Sequence, residues 1–273
     1  MSSPRSRGEI VRFDVVIPAR FSSSRLPGKP LREIAGKAMV LHTAERAIES
    51  GAARVIVATD DERIHDLVSA AGIESLMTRP DHESGSDRLA EVVDRLGLAD
   101  DHLVVNLQGD EPLMPPGLLE LVAHKLDADA GAGVATLATP ILAVEEVFDP
   151  NVVKVVRGHD ARALYFSRAP IPYVRDLFSL GRPDALPDDT TFLRHLGIYA
   201  YRAGTLRTFA RLPQAPLERV EKLEQLRLLE AGVGIALEVV AEPPECGVDT
   251  PEDLARAEAA LIARARRAEE LAS

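Results

Sequence analysis

Short apolar runs alternate with amphipathic stretches through the first half of the chain, and this alternation constrains the fold more than any other feature. Four short runs are predicted to be strands, at 13–17, 54–59, 73–77 and 103–107, and the run at 54–59 is β-branched and short enough to be buried on both faces. Helical patterns lie between and after them, at 39–49, 60–72, 87–96 and 116–126. Strands that alternate with helices of this length predict βαβ units, a parallel sheet and an α/β fold.

The second half of the chain has a different pattern. Strand-like segments follow one another without long helices between them, at 152–156, 163–166 and 196–201. Residues 181–189 are rich in Gly, Pro and Asp, which is typical of an exposed loop. We therefore expect a mixed sheet with a strand-rich lobe at about 140–215.

The chain ends in a helical stretch at 217–229, a strand at 235–240 and a terminal helix that starts at Pro251, with Asp249 or Thr250 as its cap. Residues 1–12 contain arginines but no apolar run, and we expect them to be a flexible lead-in. The remainder, 13–273, is predicted to form a single domain.

The predicted sheet also indicates where a ligand would bind. In open α/β sheets, ligands bind beyond the carboxyl ends of the strands. The loops after Ile17, Thr59 and Leu107 are therefore candidate binding loops.

The loop after the first strand is basic. Arg20, Arg25 and Lys29 lie within ten residues, Gly28 permits close backbone approach, and residues 22–24 are serines. Three cations beside exposed backbone N–H groups suit a triphosphate. The spacing matches neither a P-loop nor a dinucleotide-binding glycine motif, and a solvated surface loop is the alternative.

Two acidic positions complete the candidate site. Asp110 follows the strand at 103–107 on a turn shaped by Gly109, where a carboxylate suits Mg²⁺, which prefers oxygen ligands and usually bridges phosphates. Asp249 follows the strand at 235–240 and would be a second ligand if the sheet brought it beside Asp110. Turn chemistry for Asp110 and helix capping for Asp249 are the alternatives.

Composition narrows the range of functions. The 273 residues carry 32 basic and 43 acidic side chains, a formal net charge of −11. This balance argues against general affinity for nucleic acid but leaves room for a small basic pocket. No apolar stretch approaches the roughly 20 residues of a membrane span, and we expect neither a membrane segment nor a secretory signal. The single cysteine, Cys246, excludes an intrachain disulfide framework and fits a reduced, cytoplasmic setting.

Nine segments, taken in order, resemble those of one enzyme family. They are VVIPARFSSSRLPGKPL (15–31), RVIVATDD (54–61), MTRPDHESGSDRLAEVV (77–93), VVNLQGDEP (104–112), NVVKVV (151–156), ALYFSRAPIPY (163–173), FLRHLGIYAYR (192–202), LEQLR (223–227) and GVDTPEDL (247–254). With near-uniform spacing from about residue 13 to 256, the chain closely resembles the 3-deoxy-manno-octulosonate cytidylyltransferases, also called CMP-Kdo synthetases. The ordered set, rather than any single motif, makes the resemblance specific.

The resemblance implies a fold and a reaction. The implied fold is a Rossmann-like nucleotidyltransferase domain with a mixed, mainly parallel sheet and a small strand-rich excursion that forms a homodimer interface. The implied reaction is CTP + 3-deoxy-D-manno-octulosonate (Kdo) → CMP-Kdo + diphosphate, which depends on Mg²⁺ and feeds lipopolysaccharide inner-core synthesis. The implied partners are CTP, a Kdo-type sugar acid and a second copy of the chain, with no nucleic acid or membrane partner.

The resemblance also assigns roles to individual residues. Arg20, Arg25 and Lys29, with Gly28 beside them, fall where the family binds the CTP phosphates, and Asp110 and Asp249 become the Mg²⁺ ligands. Of these, Arg20, Lys29, Asp110 and Asp249 are the implied catalytic residues. The implied nucleotide pocket includes Arg79, Ser84, Gly85, Ser86 and Arg88. The implied sugar-acid contacts are Gln108, Arg168, His195, Tyr199, Glu224 and Gln225.

The chemistry of the sugar acid agrees with these roles. Its carboxylate needs a cation, which Arg168 can supply in a bidentate pair, and its hydroxyl groups suit His195, Tyr199, Glu224 and Gln225. Without the resemblance, Arg168 equally fits a surface charge at a sheet edge, and His195 fits a hydrogen-bonded structural histidine. The pair Glu224 and Gln225 would then be the solvated face of an amphipathic helix.

Two departures from the family pattern leave other substrates open. The segment 84–88 reads Ser-Gly-Ser-Asp-Arg where the family often has Ser-Gly-Thr-Glu-Arg, and Glu245 and Cys246 precede Gly247 where smaller residues are more usual. The alternatives are a cytidylyltransferase for an amino-substituted Kdo or a sialic acid, a uridylyl- or guanylyltransferase, and a non-catalytic nucleotide-binding relative.

Overall fold

The structure is a computed structural model that describes residues 11–22, 26–82, 84–245 and 247–272. The strands are β1 (Phe13–Ala19), β2 (Glu33–Ile34), β3 (Lys37–Ala38), β4 (Arg54–Thr59), β5 (Glu74–Met77), β6 (Leu103–Asn106), β7 (Ala132–Pro140), β8 (Lys154–Arg157), β9 (Ala163–Ser167), β10 (Leu193–Arg202) and β11 (Gly234–Val239). The helices are α1 (Met39–Glu49), α2 (Glu62–Ala70), α3 (Gly85–Arg95), α4 (Pro116–Asp127), α5 (Val144–Phe148), α6 (Arg175–Phe178), α7 (Ala203–Arg211), α8 (Pro216–Glu221), α9 (Gln225–Glu230) and α10 (Pro251–Ala272). None of these helices is both long and apolar enough to cross a membrane.

A nine-stranded sheet organises these elements. Seven strands run in the order β11-β7-β10-β6-β1-β4-β5, and β8 joins the sheet by pairing with β10 and β9. β10 is antiparallel to both of its neighbours along this path, β6 and β7, whereas the other pairs of that path are parallel. The predicted mixed, mainly parallel α/β sheet is therefore confirmed.

Helices cover both faces of the sheet. Successive side chains of a strand point to opposite faces, so Val15 and Ile17 pack into one apolar cluster with α1, α2 and α4. Val16 packs into a second cluster with α3, α7 and α9. This burial on both faces accounts for the unbroken apolar runs in the sequence.

The topology brings distant segments to one edge of the sheet. β1 ends at Ala19 and β6 at Asn106, and both carboxyl ends lie at this edge because the two strands are parallel. β10 runs in the opposite direction and therefore reaches the same edge with its first residues; Tyr199 pairs with Asn106. A ligand at this edge can thus contact residues from both halves of the chain.

Two parts of the second half differ from the sequence prediction. β7 is a long internal strand that the sequence analysis did not identify, because its run of alanine, glycine and threonine lacks large β-branched side chains. The helix predicted at 217–229 is two helices, α8 and α9, with Lys222 between them in a left-handed conformation (φ 55°). The break moves the residues after Lys222 out of line with α8.

Candidate active site

Lys29 joins the two aspartates that were predicted to converge. Its Nζ donates to Asp110 Oδ2 at 2.5 Å and to Asp249 Oδ1 at 2.8 Å. Lys29 begins a short 3-10 turn directly after Gly28, which has φ 67°, a left-handed conformation that favours glycine. The loop after β1, the loop after β6 and the segment before α10 therefore meet at a single ammonium group.

The backbone holds Asp249 next to Asp110. Val248 N donates to Asp110 O at 2.8 Å, and a Cβ at Gly247 would lie only 2.8 Å from Glu111 Oε1. Thr250 takes the capping role at α10, since its Oγ1 accepts from Asp253 N while Asp253 Oδ2 accepts from Thr250 N. Capping is therefore not what occupies the Asp249 carboxylate, which bonds Lys29.

Opposing charges set the electrostatics of this cluster. Burial disfavours the Lys29 ammonium, but the charges and hydrogen bonds of Asp110 and Asp249 outweigh that cost and raise its pKa. Burial, together with the negative charge of Asp110, raises the pKa of Glu111 to about 8, so this neighbouring carboxyl group is largely protonated at neutral pH. The negative charge is thereby concentrated on the two aspartates.

The two aspartates fit a divalent cation shared with a substrate. Their side chains are 33% and 46% exposed and so remain accessible to a ligand. Among the described residues, no group of three or more His, Cys, Asp or Glu side chains could hold a metal ion. Mg²⁺ is commonly held by one or two carboxylates together with substrate phosphates and water. Asp110 and Asp249 match that donor set, and their hard oxygen atoms suit this cation.

Two connected cavities extend from the cluster. The acidic groove, 680 Å³, is lined by Lys29, Asp110 and Asp249 among others. The inner cavity, 410 Å³, is lined by the start of α3 and the start of α9. Both are lined by Arg20 and Gln108, so a single extended ligand can occupy the two together.

One wall of the inner cavity is the N-terminus of α3, which contains four of the predicted nucleotide residues. Ser84 caps the helix by accepting from Asp87 N, and Gly85 and Ser86 follow it along the cavity wall. Arg88 is buried, and it donates to Thr78 Oγ1 and, at 2.9 Å, to Asp60 Oδ2. The wall thus combines the positive end of a helix with an anchored guanidinium group.

A second part of the inner-cavity lining, here called the sugar-acid wall, carries Tyr199, Glu224 and Gln225, all predicted sugar-acid residues. Gln225 is 7% exposed, and its Nε2 is buried without a hydrogen-bond partner in the described part of the chain. Glu224 Oε2 accepts from Ser86 Oγ at 3.0 Å, and burial raises the pKa of Glu224 despite that bond. Burial also raises the pKa of Tyr199 well above its usual value. This part of the lining therefore combines polar side chains that are largely shielded from water.

His195 lies in a smaller cavity of 180 Å³ next to the inner cavity, and Asn106 and Gln108 line both. Its Nε2 is 3.0 Å from Thr136 Oγ1, and burial lowers the pKa of His195 to about 3. The imidazole is therefore neutral at physiological pH, when it has one N–H donor and one acceptor nitrogen.

Three of the predicted residues that the structure describes, Arg168, Arg79 and Gly28, do not line these cavities. Arg168 donates from Nε to Glu221 O at 2.7 Å and from Nη1 to Pro150 O at 2.8 Å. Arg79 is exposed and pairs with Asp81 at 2.5 Å. Gly28 directly precedes Lys29 in the 3-10 turn, and a Cβ at this position would lie 3.1 Å from the ring of Phe21. Arg25 lies outside the described residues.

Sequence reasoning also missed residues of the inner cavity. Asn106 ends the apolar run of β6 with a polar side chain and accepts from Gln108 Nε2 at 3.2 Å, a signal that was available in the sequence. His82, for which the sequence analysis found no role, lines the cavity, and its Nε2 lies 2.5 Å from Glu91 Oε2. Lys222 lines it because of the break between α8 and α9, which no local pattern indicates.

Comparison with known proteins identifies the family of this chain. Residues 15–236 match the sequence profile of the family described as cytidylyltransferase. A 3-deoxy-manno-octulosonate cytidylyltransferase of Halorhodospira halophila is 58% identical over 242 residues, which are 89% of this chain and 94% of that protein. Its counterpart in Erwinia tasmaniensis is 53% identical over 249 residues, 91% of this chain and 99% of that protein.

A solved structure has the same fold. It is that of CMP:2-keto-3-deoxy-manno-octonic acid synthetase complexed with CTP, which is 44% identical, covers 93% of this chain and 99% of its own, and has a TM-score of 0.84. The resemblance noted from the nine sequence segments is therefore confirmed. The chain belongs to the cytidylyltransferase family and, within it, to the 3-deoxy-manno-octulosonate cytidylyltransferases.

Proposed function

We propose that this protein is a Mg²⁺-dependent nucleotidyltransferase that converts CTP and Kdo to CMP-Kdo and diphosphate, for lipopolysaccharide inner-core synthesis. The meeting of Asp110 and Asp249 at Lys29, in a groove that opens into a polar cavity, carries the proposal. The names of the relatives and the CTP complex of the similar structure support this choice of substrates.

The triphosphate lies in the acidic groove. Arg20 and Lys29 line it and supply the positive charge that phosphate oxygens require. The nucleoside lies against the N-terminus of α3, and the sugar acid against Tyr199, Glu224 and Gln225. Gln108, which lines all three cavities, is placed between the two substrates.

The reaction is an in-line displacement at the α-phosphorus of CTP. The C2 hydroxyl oxygen of the sugar acid forms a new bond to phosphorus and loses its proton, while the bond to the diphosphate oxygen breaks on the opposite side. Asp110 and Asp249 would hold Mg²⁺, which when bound neutralises α-phosphate charge and lowers the pKa of the attacking hydroxyl. Arg20 and Lys29 stabilise the charge that develops on diphosphate.

The sugar-acid wall supplies hydrogen-bonding groups for the hydroxyl groups of the sugar acid. Gln225 Nε2 offers a buried donor, and neutral His195 and Tyr199 offer further polar contacts. Arg168 stays the predicted partner of the substrate carboxylate. Its guanidinium bonds the backbone carbonyls of Glu221 and Pro150, and Glu221 lies three residues before Glu224.

We further propose a homodimer that acts in the cytoplasm. Six of the eight exposed large apolar side chains of the described residues fall between residues 140 and 220, namely Leu142, Leu164, Tyr173, Leu180, Leu217 and Val220. A second copy covering part of this region would remove apolar surface from water. Sedimentation equilibrium tests this: a monomer at micromolar concentration contradicts the homodimer.

A substrate panel tests the activity. Purified protein with Mg²⁺ is given CTP and Kdo, and diphosphate release is measured while mass spectrometry identifies CMP-Kdo. Amino-substituted Kdo and sialic acid replace Kdo in parallel, and UTP and GTP replace CTP. Turnover that is fastest with CTP and Kdo supports the proposal. If CTP binds but no diphosphate is released with any of these acceptors, the protein is a non-catalytic relative.

A further inference from the structure

Lys154, at the start of β8, is a fully buried lysine outside the cavities described above. Its side chain is 0% exposed. Its Nζ donates to three backbone carbonyl oxygens, those of Asp149 at 2.8 Å, Val152 at 2.6 Å and Arg168 at 2.6 Å. The three N–H groups of the ammonium thus match three acceptors from two separate segments of chain.

The position of Lys154 in the sheet connects it to the active-site edge. Lys154 pairs with Ser167 of β9 on one side and with Arg194 of β10 on the other. His195 N donates to Val153 O at 2.8 Å, so the residue before Lys154 fixes the backbone of His195. The ammonium therefore lies where three strands approach the sugar-acid side of the site.

From Arg168, a chain of hydrogen bonds continues to the wall of the inner cavity. Arg168 N and Ser167 Oγ donate to the two carboxylate oxygens of Glu221, at 2.9 and 2.6 Å, and Arg168 Nε donates to Glu221 O at 2.7 Å. Glu221 ends α8, and the next residue, Lys222, has the left-handed conformation that redirects the chain into the cavity. Glu224 and Gln225 follow directly.

We propose that Lys154 is a positioning residue for the sugar-acid substrate: its ammonium fixes the Arg168 backbone, and Arg168 and Ser167 in turn hold Glu221 and the cavity-lining segment 222–225. This inference rests on the proposed function for the identity of the substrate. The CTP phosphates lie at the acidic groove, which these hydrogen bonds do not reach, so the effect of Lys154 should fall chiefly on the sugar acid.

The chemistry of the site explains why a lysine is used there. Burial lowers the pKa of Lys154, although the charges of Asp149 and Glu221 partly oppose this shift, so a lysine here carries a desolvation cost that an apolar side chain would avoid. A methionine would fill similar volume but would leave three buried carbonyl oxygens without this donor. The hydrogen bonds to three carbonyl oxygens of two chain segments, rather than packing alone, therefore explain why a lysine occupies this position.

Two variants and one control test the proposal. Lys154→Met removes the three donors, and Glu221→Gln breaks the hydrogen-bond chain further along without changing a buried lysine. Lys125→Met is the control. Lys125 also contacts a strand, since its Nζ lies 2.7 Å from Glu238 Oε2 of β11, but neither residue lines the cavities. KM values for Kdo and for CTP are measured separately, together with amide hydrogen exchange of residues 221–225.

Both test variants should raise KM for Kdo roughly tenfold or more, because small displacements of positioning groups are costly, and leave KM for CTP within about twofold. Amide exchange at 221–225 should become faster in both variants and stay unchanged in Lys125→Met. Unchanged amide exchange with an unchanged KM for Kdo overturns the proposal. An equal rise of KM for Kdo and for CTP overturns it as well. If Lys154→Met does not fold, Glu221→Gln decides by the same criteria. Wild-type protein that forms no CMP-Kdo refutes the proposed function instead, and the exchange data then still decide whether Lys154 holds the segment.

Discussion

The two sides of the active site are built in opposite ways. The acidic groove relies on full charges that remain partly accessible to water, with Lys29 between Asp110 and Asp249. The sugar-acid wall relies on buried polar groups, including Tyr199 and the unpartnered Gln225 Nε2, with neutral His195 in the adjoining cavity. The contrast matches the proposed roles, in which one side binds the charged phosphates and the other binds the hydroxyl groups of the sugar acid. Substitutions should therefore separate catalysis and CTP binding from sugar-acid binding.

Asp110→Asn should produce the largest loss. The amide keeps the size of the side chain but removes the negative charge proposed to hold Mg²⁺, and kcat should fall by about 10³-fold or more. Steady-state kinetics measures the loss, and calorimetry with CTP should show that nucleotide binding largely persists. Near-normal turnover at saturating Mg²⁺ would show that Asp110 is not a metal ligand, and the contrast between the two sides of the site would then be wrong.

Lys29→Met should give the next largest effect. Loss of the ammonium removes a phosphate-binding charge and leaves the two aspartates facing each other, so KM for CTP should rise about tenfold and kcat should fall. Lys37→Met is a matched control, because Lys37 pairs with Glu45 at 2.6 Å and lies outside the groove. Kinetics indistinguishable from the control would exclude Lys29 from phosphate binding.

Gln225→Leu should have a smaller and selective effect. The unpartnered Nε2 has no bond to lose in the described free protein, so the free energy of unfolding should not fall, whereas KM for Kdo should rise about tenfold. Kinetics for each substrate and urea unfolding without substrate measure the two quantities. An equal rise of KM for CTP, or lower stability with an unchanged KM for Kdo, contradicts the assignment.

The pH dependence of stability should give the smallest effect. Because burial lowers the pKa of His195 to about 3, the unfolded chain binds a proton below its ordinary value of 6.5 while the folded protein does not. The contribution of His195 is therefore fully present above pH 6.5, and about 1.5 kcal/mol of it should be lost between pH 6.5 and 5. Urea unfolding of wild type and His195→Gln measures this. An equal decline in both proteins means that other groups cause it.

Much of the parallel half could be predicted from the sequence because its signals are local. The apolar runs of β1, β4 and β6 and the basic and acidic residues after β1 and β6 lie close together in the chain. The meeting of Asp249 with Asp110 needed the sheet order and the contact of Val248 N with Asp110 O, which no spacing reveals.

The second half was harder to predict, for physical reasons. The small side chains of β7 hide a buried strand, and the bonds of Ser167 and Arg168 to Glu221 accompany a helix break where propensity favours continuity. Arg168 was expected to pair with the substrate carboxylate, and in the structure its guanidinium bonds two backbone carbonyls. Tertiary contacts, which a sequence does not display, decide each of these cases.

The direction of β10 has a consequence for how substrate choice can change. This strand alone is antiparallel to both of its neighbours along the main path of the sheet, and so residues encoded late in the gene reach the edge where the early loops end. Most of the proposed acid contacts thus come from the second half of the chain and most of the proposed triphosphate contacts from the first, with Gln108 and Asp249 as the exceptions. A library confined to 193–199 and 221–225 can therefore redirect the enzyme to new acids while its triphosphate machinery stays intact.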